Sequence, residues 1–153
     1  RISADDEGST DTRIGRAGES REAAMTTLVV RNVPLAYTIE SLLREWQCEQ
    51  KCDFVYLPQN VQLQQNLGFA FLNFPSHSEA VAFKRKWRNG RLAHSERDGG
   101  LNIKFAQVQG FEANIKLQMK KRVHLTKLTY LQPIIFKSGR TYRLGEFLAQ
   151  TQE

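Results

Sequence analysis

Two kinds of hydrophobic spacing alternate between residues 25 and 110 of the chain. Short runs rich in β-branched and aromatic residues end at proline, glycine or polar clusters, which is typical of β-strands. Longer runs carry apolar residues three and four positions apart, which is the spacing of one helix face. Thr38 and Ser76 precede the two longer runs and suit the N-cap position of a helix. In chain order, the predicted elements are a strand in 26–34, a helix over 38–49, strands in 53–58 and 68–74, a helix over 76–89 and a strand at 101–105.

This order of elements, within about 80 residues, predicts an α+β fold of the ferredoxin-like type, β-α-β-β-α-β. We expect a four-stranded antiparallel sheet with both helices packed on one face, so that the other face stays open. A third, C-terminal helix is predicted over 111–122 (FEANIKLQMKKR). Its apolar stripe consists of Phe111, Ile115 and either Leu117 or Met119.

The first residues of the chain differ in composition from the middle. Residues 1–24 hold no aromatic residue and only two large aliphatic ones, Ile2 and Ile14, so they bury too little surface to offset the entropy of ordering. The chain begins at Arg1 rather than Met, and we therefore expect a fragment of a longer protein. The predicted organisation is a disordered linker at 1–24, a folded domain at 25–110, the third helix at 111–122 and a basic extension or tail at 123–153.

Positive charge is concentrated in one part of the chain. The 153 residues hold 22 Lys and Arg against 16 Asp and Glu, a net charge of +6. Residues 104–143 hold nine basic residues and one acidic residue, which gives +8. Such clustering indicates an anionic partner, most often nucleic acid, although a solvated helix face with a basic tail fits the charge equally well. Apolar runs reach only about four residues, so no membrane-spanning helix, which needs about 20, is predicted.

The third predicted strand carries the pattern that points to a function. Residues 67–74, LGFAFLNF, resemble the central-strand motif of the RNA recognition motif family, Lys/Arg-Gly-Phe/Tyr-Gly/Ala-Phe-Val-x-Phe/Tyr. They match its Gly, Phe, Ala, Phe and final Phe, whereas Leu67 stands where the family has a cation. Because side chains alternate along a strand, Phe69, Phe71 and Asn73 point to the open face. Exposed rings there imply stacking on unpaired bases, at about 1–3 kcal/mol per base.

The same alternation places side chains of the other strands on the open face. Val29, on the first strand, stands where the family usually has an aromatic residue. Phe54 and Tyr56 share one face of the second strand, which is either the open face or the core. On the fourth strand, Asn102 suits a base edge and Lys104 suits a phosphate. The predicted RNA contacts are Val29, Arg31, Tyr56, Phe69, Phe71, Asn73, Asn102 and Lys104.

A run beyond the fourth strand narrows the resemblance. Residues 105–115, FAQVQGFEANI, are similar to the Ala-Arg-Val-Gln-Gly-x-Glu-Ala-Leu-Ile run that closes the C-terminal motif of Mei-two-like proteins. The likeness implies an RNA-binding, post-transcriptional regulator of the kind tied to meiotic entry and development. Two parts of the chain depart from the subfamily. The subfamily tends to carry Arg where this chain has Gln107, and Lys and Cys where this chain has the polar loop 59–66. Further resemblance lies in 26–38, 53–58 and 66–74, and in Tyr130, Pro133, Ile135 and Phe136 of a short C-terminal extension.

Two hypotheses of function follow. The first is a single-stranded RNA-binding module in which Phe69 and Phe71 stack bases while basic residues of the sheet and third helix hold phosphates. The second is a protein-interaction module on the same fold, whose open face binds a peptide or the protein's own third helix. The absence of an aromatic residue at Val29 and of a cation at Leu67 favours the second hypothesis. The paired rings and the +8 stretch favour the first.

Other kinds of chemistry are not expected. Cys48 and Cys52 are too few for a disulfide framework or a zinc ribbon, and the three histidines fall in separate predicted elements without metal-ligand spacing. No nucleophile, base and orienting residue form a recognisable catalytic set. We therefore expect no metal, no cofactor and no catalysis. Reduced cysteines suit the nucleus and/or cytoplasm.

Overall fold

The computed structural model describes residues 24–95 and 99–151, so the linker predicted at 1–24 lies almost entirely outside the described residues. Its strands are β1 (Thr27–Arg31), β2 (Phe54–Tyr56), β3 (Gln59–Asn60), β4 (Gln65–Asn66), β5 (Phe69–Asn73), β6 (Asn102–Phe105), β7 (Ile134–Lys137) and β8 (Arg140–Arg143). Its α-helices are α1 (Ile39–Trp46), α2 (His77–Trp87), α3 (Phe111–Lys120) and α4 (Leu144–Thr151). Short 3₁₀ turns occur at Cys48–Gln50, Val123–Leu125 and Thr129–Leu131.

Helices α1 and α2 each begin directly after a capping residue, Thr38 and Ser76. Thr38 Oγ1 accepts a hydrogen bond from Ser41 N at 3.2 Å, and Ser41 Oγ accepts one from Thr38 N at 2.9 Å. At the start of α2, Ser76 Oγ accepts from Glu79 N at 3.3 Å. Both predicted N-caps are therefore confirmed. The two hydroxyls satisfy backbone N–H groups that a helix start leaves without an intrahelical partner.

Within the described residues, six strands form one antiparallel sheet in the order β6-β1-β5-β2-β7-β8. The ferredoxin-like unit of β1, β2, β5 and β6 is confirmed. The sheet is larger than the predicted four strands because the hairpin β7–β8 pairs with the edge of β2 and sets Ile135 opposite Phe54. Its turn at Ser138 and Gly139 has φ of 53° and 76°, as a tight two-residue hairpin requires. The predicted polar loop 59–66 contains the small hairpin β3–β4.

The main core lies between the sheet and the first two helices. Leu28, Leu72 and Phe74 of the sheet pack there beneath Trp46 of α1 and Phe83 of α2. The Trp46 and Phe83 rings meet edge to face, with 5.4 Å between their centroids, and so join the two helices. This layer has the arrangement that the sequence predicts.

A second core lies on the opposite face, which the sequence predicts to be open. The third helix is confirmed, but it packs on this face together with α4, because β7 enlarges the apolar surface that the two helices remove from water. The expectation of a wholly open face is therefore wrong. Phe54 and Tyr56 both belong to this side of the sheet and not to the main core. The buried residues of the second core are Phe54, Ile115, Ile135, Leu144 and Phe147.

One side chain ties the segment before α3 to the start of β1. Gln109 Oε1 accepts hydrogen bonds from the backbone N–H groups of Thr26 (2.7 Å) and Thr27 (2.9 Å). Its Nε2 donates to the carbonyl oxygens of Thr27 (2.9 Å) and Ala106 (2.7 Å). Gly110 follows with a φ of 101°, a left-handed value that favours glycine, and the chain then enters α3. Gln109 thus satisfies four backbone groups at once.

A buried polar network continues from Gln109 beneath α3. The Thr27 hydroxyl accepts hydrogen bonds from Gly110 N (2.8 Å) and Asn114 Nδ2 (3.2 Å) and donates one to Asn73 Oδ1 (2.7 Å). Asn73 Nδ2 in turn donates to Asp53 Oδ1 (2.8 Å). Burial raises the pKa of the Asp53 carboxyl, and the hydrogen bond from Asn73 offsets only part of that rise. The network joins β1, β5 and α3 through directional contacts.

Replacement of Gln109 by Ala is expected to lower the free energy of unfolding by about 2–3 kcal/mol, because it removes the acceptor of the partly buried N–H groups of Thr26 and Thr27. Urea denaturation of the 153-residue chain measures the change. Gln107→Ala is the matched control, since Gln107 is exposed and its loss should change stability by less than about 0.5 kcal/mol. Equal losses in the two variants would contradict the role given to Gln109.

The raised pKa of Asp53 predicts a pH-dependent contribution to stability. The folded chain holds this proton more tightly than the unfolded chain, so stability falls as pH rises from the ordinary value of 3.8 through the raised pKa. Asp53→Asn removes the charge and keeps an oxygen for Asn73 to donate to. The variant is expected to be more stable than the parent at neutral pH, with the difference shrinking towards acid pH in urea denaturation. Glu49→Gln, at an exposed position, is the control. A gain for Asp53→Asn that is the same at every pH would refute this explanation.

Candidate nucleic-acid interface

The sheet face beneath α3 carries three rows of side chains that run across the strands. Strand pairing defines the rows, because residues opposite one another on adjacent strands share a face. All eight predicted RNA contacts lie on this face, as the alternation along each strand predicts, but they differ in access to solvent. The first row holds Asn102, Arg31 and Phe69, the second Lys104, Val29, Phe71 and Tyr56, and the third Thr27, Asn73, Phe54 and Ile135.

The third row is closed. Asn73 is only 2% exposed. Its Oδ1 accepts hydrogen bonds from the hydroxyls of Thr26 (2.8 Å) and Thr27 (2.7 Å), and its Nδ2 donates to Asp53. The expectation that Asn73 is accessible is therefore wrong, because α3 and its polar network lie above this part of the sheet. Asn73 joins β5 to β1.

The second row is partly closed. Val29 is fully buried against Ala106 and the rings of Phe69 and Phe71, so the expectation that it is accessible is also wrong. Its small side chain fits the space between these three residues. Phe71 and Tyr56 are half-buried because they pack against the second core. Burial raises the pKa of the Tyr56 phenol.

The remaining side chains form an accessible group that we call the sheet corner: Arg31, Phe69, Asn102 and Lys104. Asn102 and Lys104 are exposed, and Arg31 and Phe69 are half-buried. The Phe69 ring meets Phe71 edge to face, with 5.7 Å between centroids and 86° between planes, which fixes its orientation. The sheet corner therefore combines an aromatic face, two cations and an amide. These groups suit a base face, phosphates and a base edge.

Exposed cations adjoin the covered part of the same face. The chain is anchored to β1 through Asn114 and then crosses to β7, which pairs with β2. No Asp or Glu occurs between residues 113 and 145. The apolar stripe predicted for the third helix is only partly present. Met119 is 38% exposed among these cations, whereas the polar residues Asn114 and Gln118 are buried. We call the exposed residues of this crossing the α3 basic surface: Lys116, Lys120, Lys121, Arg122, Lys127 and Tyr130.

The polar network that shapes this site was not predicted. Gln109 and Asn114 both lie in the run FAQVQGFEANI, so the resemblance marked the segment without indicating what these two amides contact. Asn114 next to Ile115 does carry a sequence feature that could have indicated the contact. A polar residue on the buried face of an amphipathic helix requires a hydrogen-bonding partner. Thr27 offers no comparable feature, because threonine is ordinary in a strand.

The described residues contain neither a cluster of metal ligands nor a helix that could span a membrane. Within residues 24–95 and 99–151, no three His, Cys, Asp or Glu side chains could hold a metal ion together. Cys48 and Cys52 are buried free thiols, and burial raises the pKa of the Cys52 thiol well above its usual range. In the same described ranges, the helices are too short or too polar to cross a bilayer.

Comparison with known proteins gives matches of the predicted kind. The family model described as RNA recognition motif 2 matches residues 25–119. Protein MEI2-like 1 of Arabidopsis thaliana is 30% identical over 100 residues, which cover 64% of this chain and 11% of that protein. Protein MEI2-like 4 of Oryza sativa subsp. japonica is 30% identical over 105 residues, which cover 67% of this chain and 10% of that protein. The chain thus spans about a tenth of the length of these curated relatives.

A solved structure of the Rna15 RNA recognition motif with bound RNA (GU) aligns with a TM-score of 0.47 and 16% identity, over 62% of this chain and 96% of that chain. The similarity to Mei-two-like proteins that the sequence predicts is confirmed by the curated relatives and by the family model.

Proposed function

The chain belongs to the RNA recognition motif 2 family, and from this premise we propose that it binds single-stranded RNA through the sheet corner. RNA binding in general is supported by the family, whereas the contacts below are our proposal. The observation that carries it is the accessible Phe69 ring beside Arg31 and Lys104. An aromatic ring held at the surface next to cations is suited to stack a base while the cations neutralise its phosphates.

Each residue of the sheet corner has a distinct part in this proposal. An unpaired base stacks on Phe69, which requires a single strand because paired bases do not offer a free face. Asn102 forms a hydrogen bond with the edge of that base, as donor or acceptor. Arg31 and Lys104 contact the flanking phosphates. Phe71 supports the Phe69 ring more than it stacks a base, since Phe71 also packs in the second core.

The α3 basic surface extends the proposed RNA path beyond the sheet. The third row of the sheet is covered, so an RNA strand that leaves the sheet corner has to pass over or around α3. Five exposed cations favour such a polyanionic strand, since Glu112 is the one acidic residue in 104–143. Tyr130, which is 48% exposed, adds a ring on which a further base can stack.

The role of this binding in a larger protein is a further part of the proposal. The curated relatives are named MEI2-like and are about ten times longer than the matched region. We propose that the chain acts in post-transcriptional regulation in the nucleus and/or cytoplasm, with RNA recognition as its contribution.

A protein-interaction module is the alternative function. One observation favours it: α3 and α4 cover much of the face that the family uses for RNA, so the protein's own third helix already occupies part of that face. A peptide bound at the sheet corner would not require cations. RNA binding should weaken steeply with added salt, whereas an apolar peptide contact should not.

Phe69→Ala is expected to weaken binding to a pool of short labelled single-stranded RNAs about ten- to hundredfold, because it removes one stacking platform. Fluorescence anisotropy of the 153-residue chain, at two salt concentrations, measures the change. Phe136→Ala is the matched control, since Phe136 is also half-buried but packs against the main core on the other face. An unchanged RNA affinity of Phe69→Ala would mean that the RNA site lies outside the sheet corner. No binding by the folded parent chain would favour the protein-interaction alternative.

The double substitution Lys120→Gln and Lys121→Gln is expected to reduce the dependence of RNA affinity on salt. Each phosphate contact contributes a slope of about 0.7 in log K against log salt for a single strand, so the slope should fall by about 0.7 to 1.4. Arg85→Gln with Arg88→Gln is the control, because it removes the same charge from exposed positions on the opposite side of the sheet. Equal changes of slope in both double variants would mean that only net charge matters.

A further inference from the structure

Negative charge is concentrated near the start of the chain. Residues 2–12, ISADDEGSTDT, hold four acidic residues and no Lys or Arg, which gives a charge of −4. Residues 13–24 hold three Arg and two Glu, which gives +1. The acidic residues are thus grouped in the part that lies farther along the chain from the folded domain. We call residues 2–12 the acidic segment.

The chain enters the folded domain beside the start of α3. Thr26 N donates to Gln109 Oε1 at 2.7 Å, and the N–H of Gly110, the N-cap of α3, donates to the Thr27 hydroxyl at 2.8 Å. The 14 residues from Thr26 back to the acidic segment can extend over about 45 Å, at about 3.3 Å per residue. Helix α3 has ten residues and is about 15 Å long. The acidic segment can therefore reach every part of α3.

The α3 basic surface offers the acidic segment a partner of opposite charge. Lys116 and Lys120 are exposed and lie one turn apart on α3, and the exposed Lys121 and Arg122 follow directly. Cations this close together repel one another, and a run of carboxylates lowers that repulsion. Glu112 is the one acidic residue in 104–143, so this part of the sequence supplies little compensating charge.

A second group of cations lies on α2, which packs on the other side of the sheet. The chain entry is also near the start of this helix, since His77 Nδ1 lies 2.7 Å from Met25 O. Lys84 and Lys86, however, each lie over an aromatic ring, with the ammonium nitrogen 5.1 Å and 5.9 Å from the ring centroids. These cation–π contacts already stabilise both ammonium groups. The α3 basic surface is therefore the better match for the acidic segment.

We propose that the acidic segment binds the α3 basic surface of its own chain and competes there with RNA. The proposal rests on the RNA function proposed above, since it concerns the access of RNA to the same cations. A segment of the same chain is present at a high effective concentration, so even weak ionic contacts keep part of the surface occupied. Exposed ion pairs contribute little each, so an RNA strand with one charge per nucleotide displaces the segment. Weakly bound strands are thereby excluded first.

Paramagnetic broadening of backbone amide signals in the 153-residue chain tests the contact without RNA. A nitroxide label is attached to Ser3→Cys, next to the acidic residues. The native Cys48 and Cys52 are buried, which limits their reaction with the label. We expect broadening at residues 116–122 in low salt, a marked decrease in high salt because salt screens the ion pairs, and the same broadening at every protein concentration.

The double substitution Asp5→Asn and Asp6→Asn removes two of the four negative charges of the acidic segment. It should reduce the broadening at the α3 basic surface. In fluorescence anisotropy of unlabelled chains, it should raise the affinity for the pool of short single-stranded RNAs about two- to fivefold in low salt, and by less than about 1.5-fold in high salt. Glu19→Gln with Glu22→Gln is the matched control, because it removes the same charge outside the acidic segment and should leave both measurements close to those of the parent.

Several results would overturn the proposal. One is broadening that is absent at residues 116–122 or that occurs at 84–88 of α2 instead. Another is broadening that grows with protein concentration, which would indicate contact between two copies. Equal changes of RNA affinity in the two double variants would mean that only net charge matters. A chain that binds no RNA but still shows the broadening would end the proposed RNA function, and the competition with it, while the contact itself would stand. Backbone amide spectra of the variants check that the domain keeps its fold.

Discussion

The hydroxyl of Thr27 is the contact on which the covered half of the sheet depends. A threonine hydroxyl has one donor and two acceptor positions, and here Asn73, Gly110 and Asn114 occupy all three. These partners belong to β5, to the segment before α3 and to α3 itself. The hydroxyl therefore fixes the helix in one position on the strand. Apolar contacts would hold the helix against the sheet with much less directional preference.

This anchoring divides the sheet face into two parts with different properties. Near Thr27 the face is closed, and its side chains serve packing. At the other end of the strands, Phe69 stays half-buried and Asn102 and Lys104 stay exposed, because the hydrogen bonds of the network lie at the Thr27 end. The two hypotheses of function are thereby compatible. The third helix occupies part of the face, as the protein-interaction hypothesis allows, and the remaining part keeps an aromatic ring and cations, as the RNA hypothesis requires.

Local rules predicted the parts of this fold that local sequence determines. The caps Thr38 and Ser76 and the alternation along β5 depend on residues within four positions, so the helix starts and the face of Phe69 could be derived from the sequence. Alternation states which face a side chain points to, but not what lies above it. Val29 is buried against Ala106, far along the chain, and Asn73 is buried in hydrogen bonds to Thr26 and Thr27, which are 47 and 46 positions away. The pairing of β7 with β2 was missed for the same reason, because Ile135 and Phe54 are remote in sequence.

The long sequence separation between residues 109–114 and their partners at the start of β1 also predicts the order in which the protein acquires its structure. The hydrogen bonds from residues 109–114 to Thr26 and Thr27 span 82 to 87 residues, and contacts of such length form late because a large loop has to close. On the ribosome, β1 and β5 are synthesised well before residues 109–114, so they can pair and fold over α1 and α2 first. During that interval Val29 and Phe54 lack the C-terminal residues that pack against them in the folded chain. Their full burial needs residues 105–147, because Ala106 packs on Val29 while Ile115, Leu144 and Phe147 pack with Phe54.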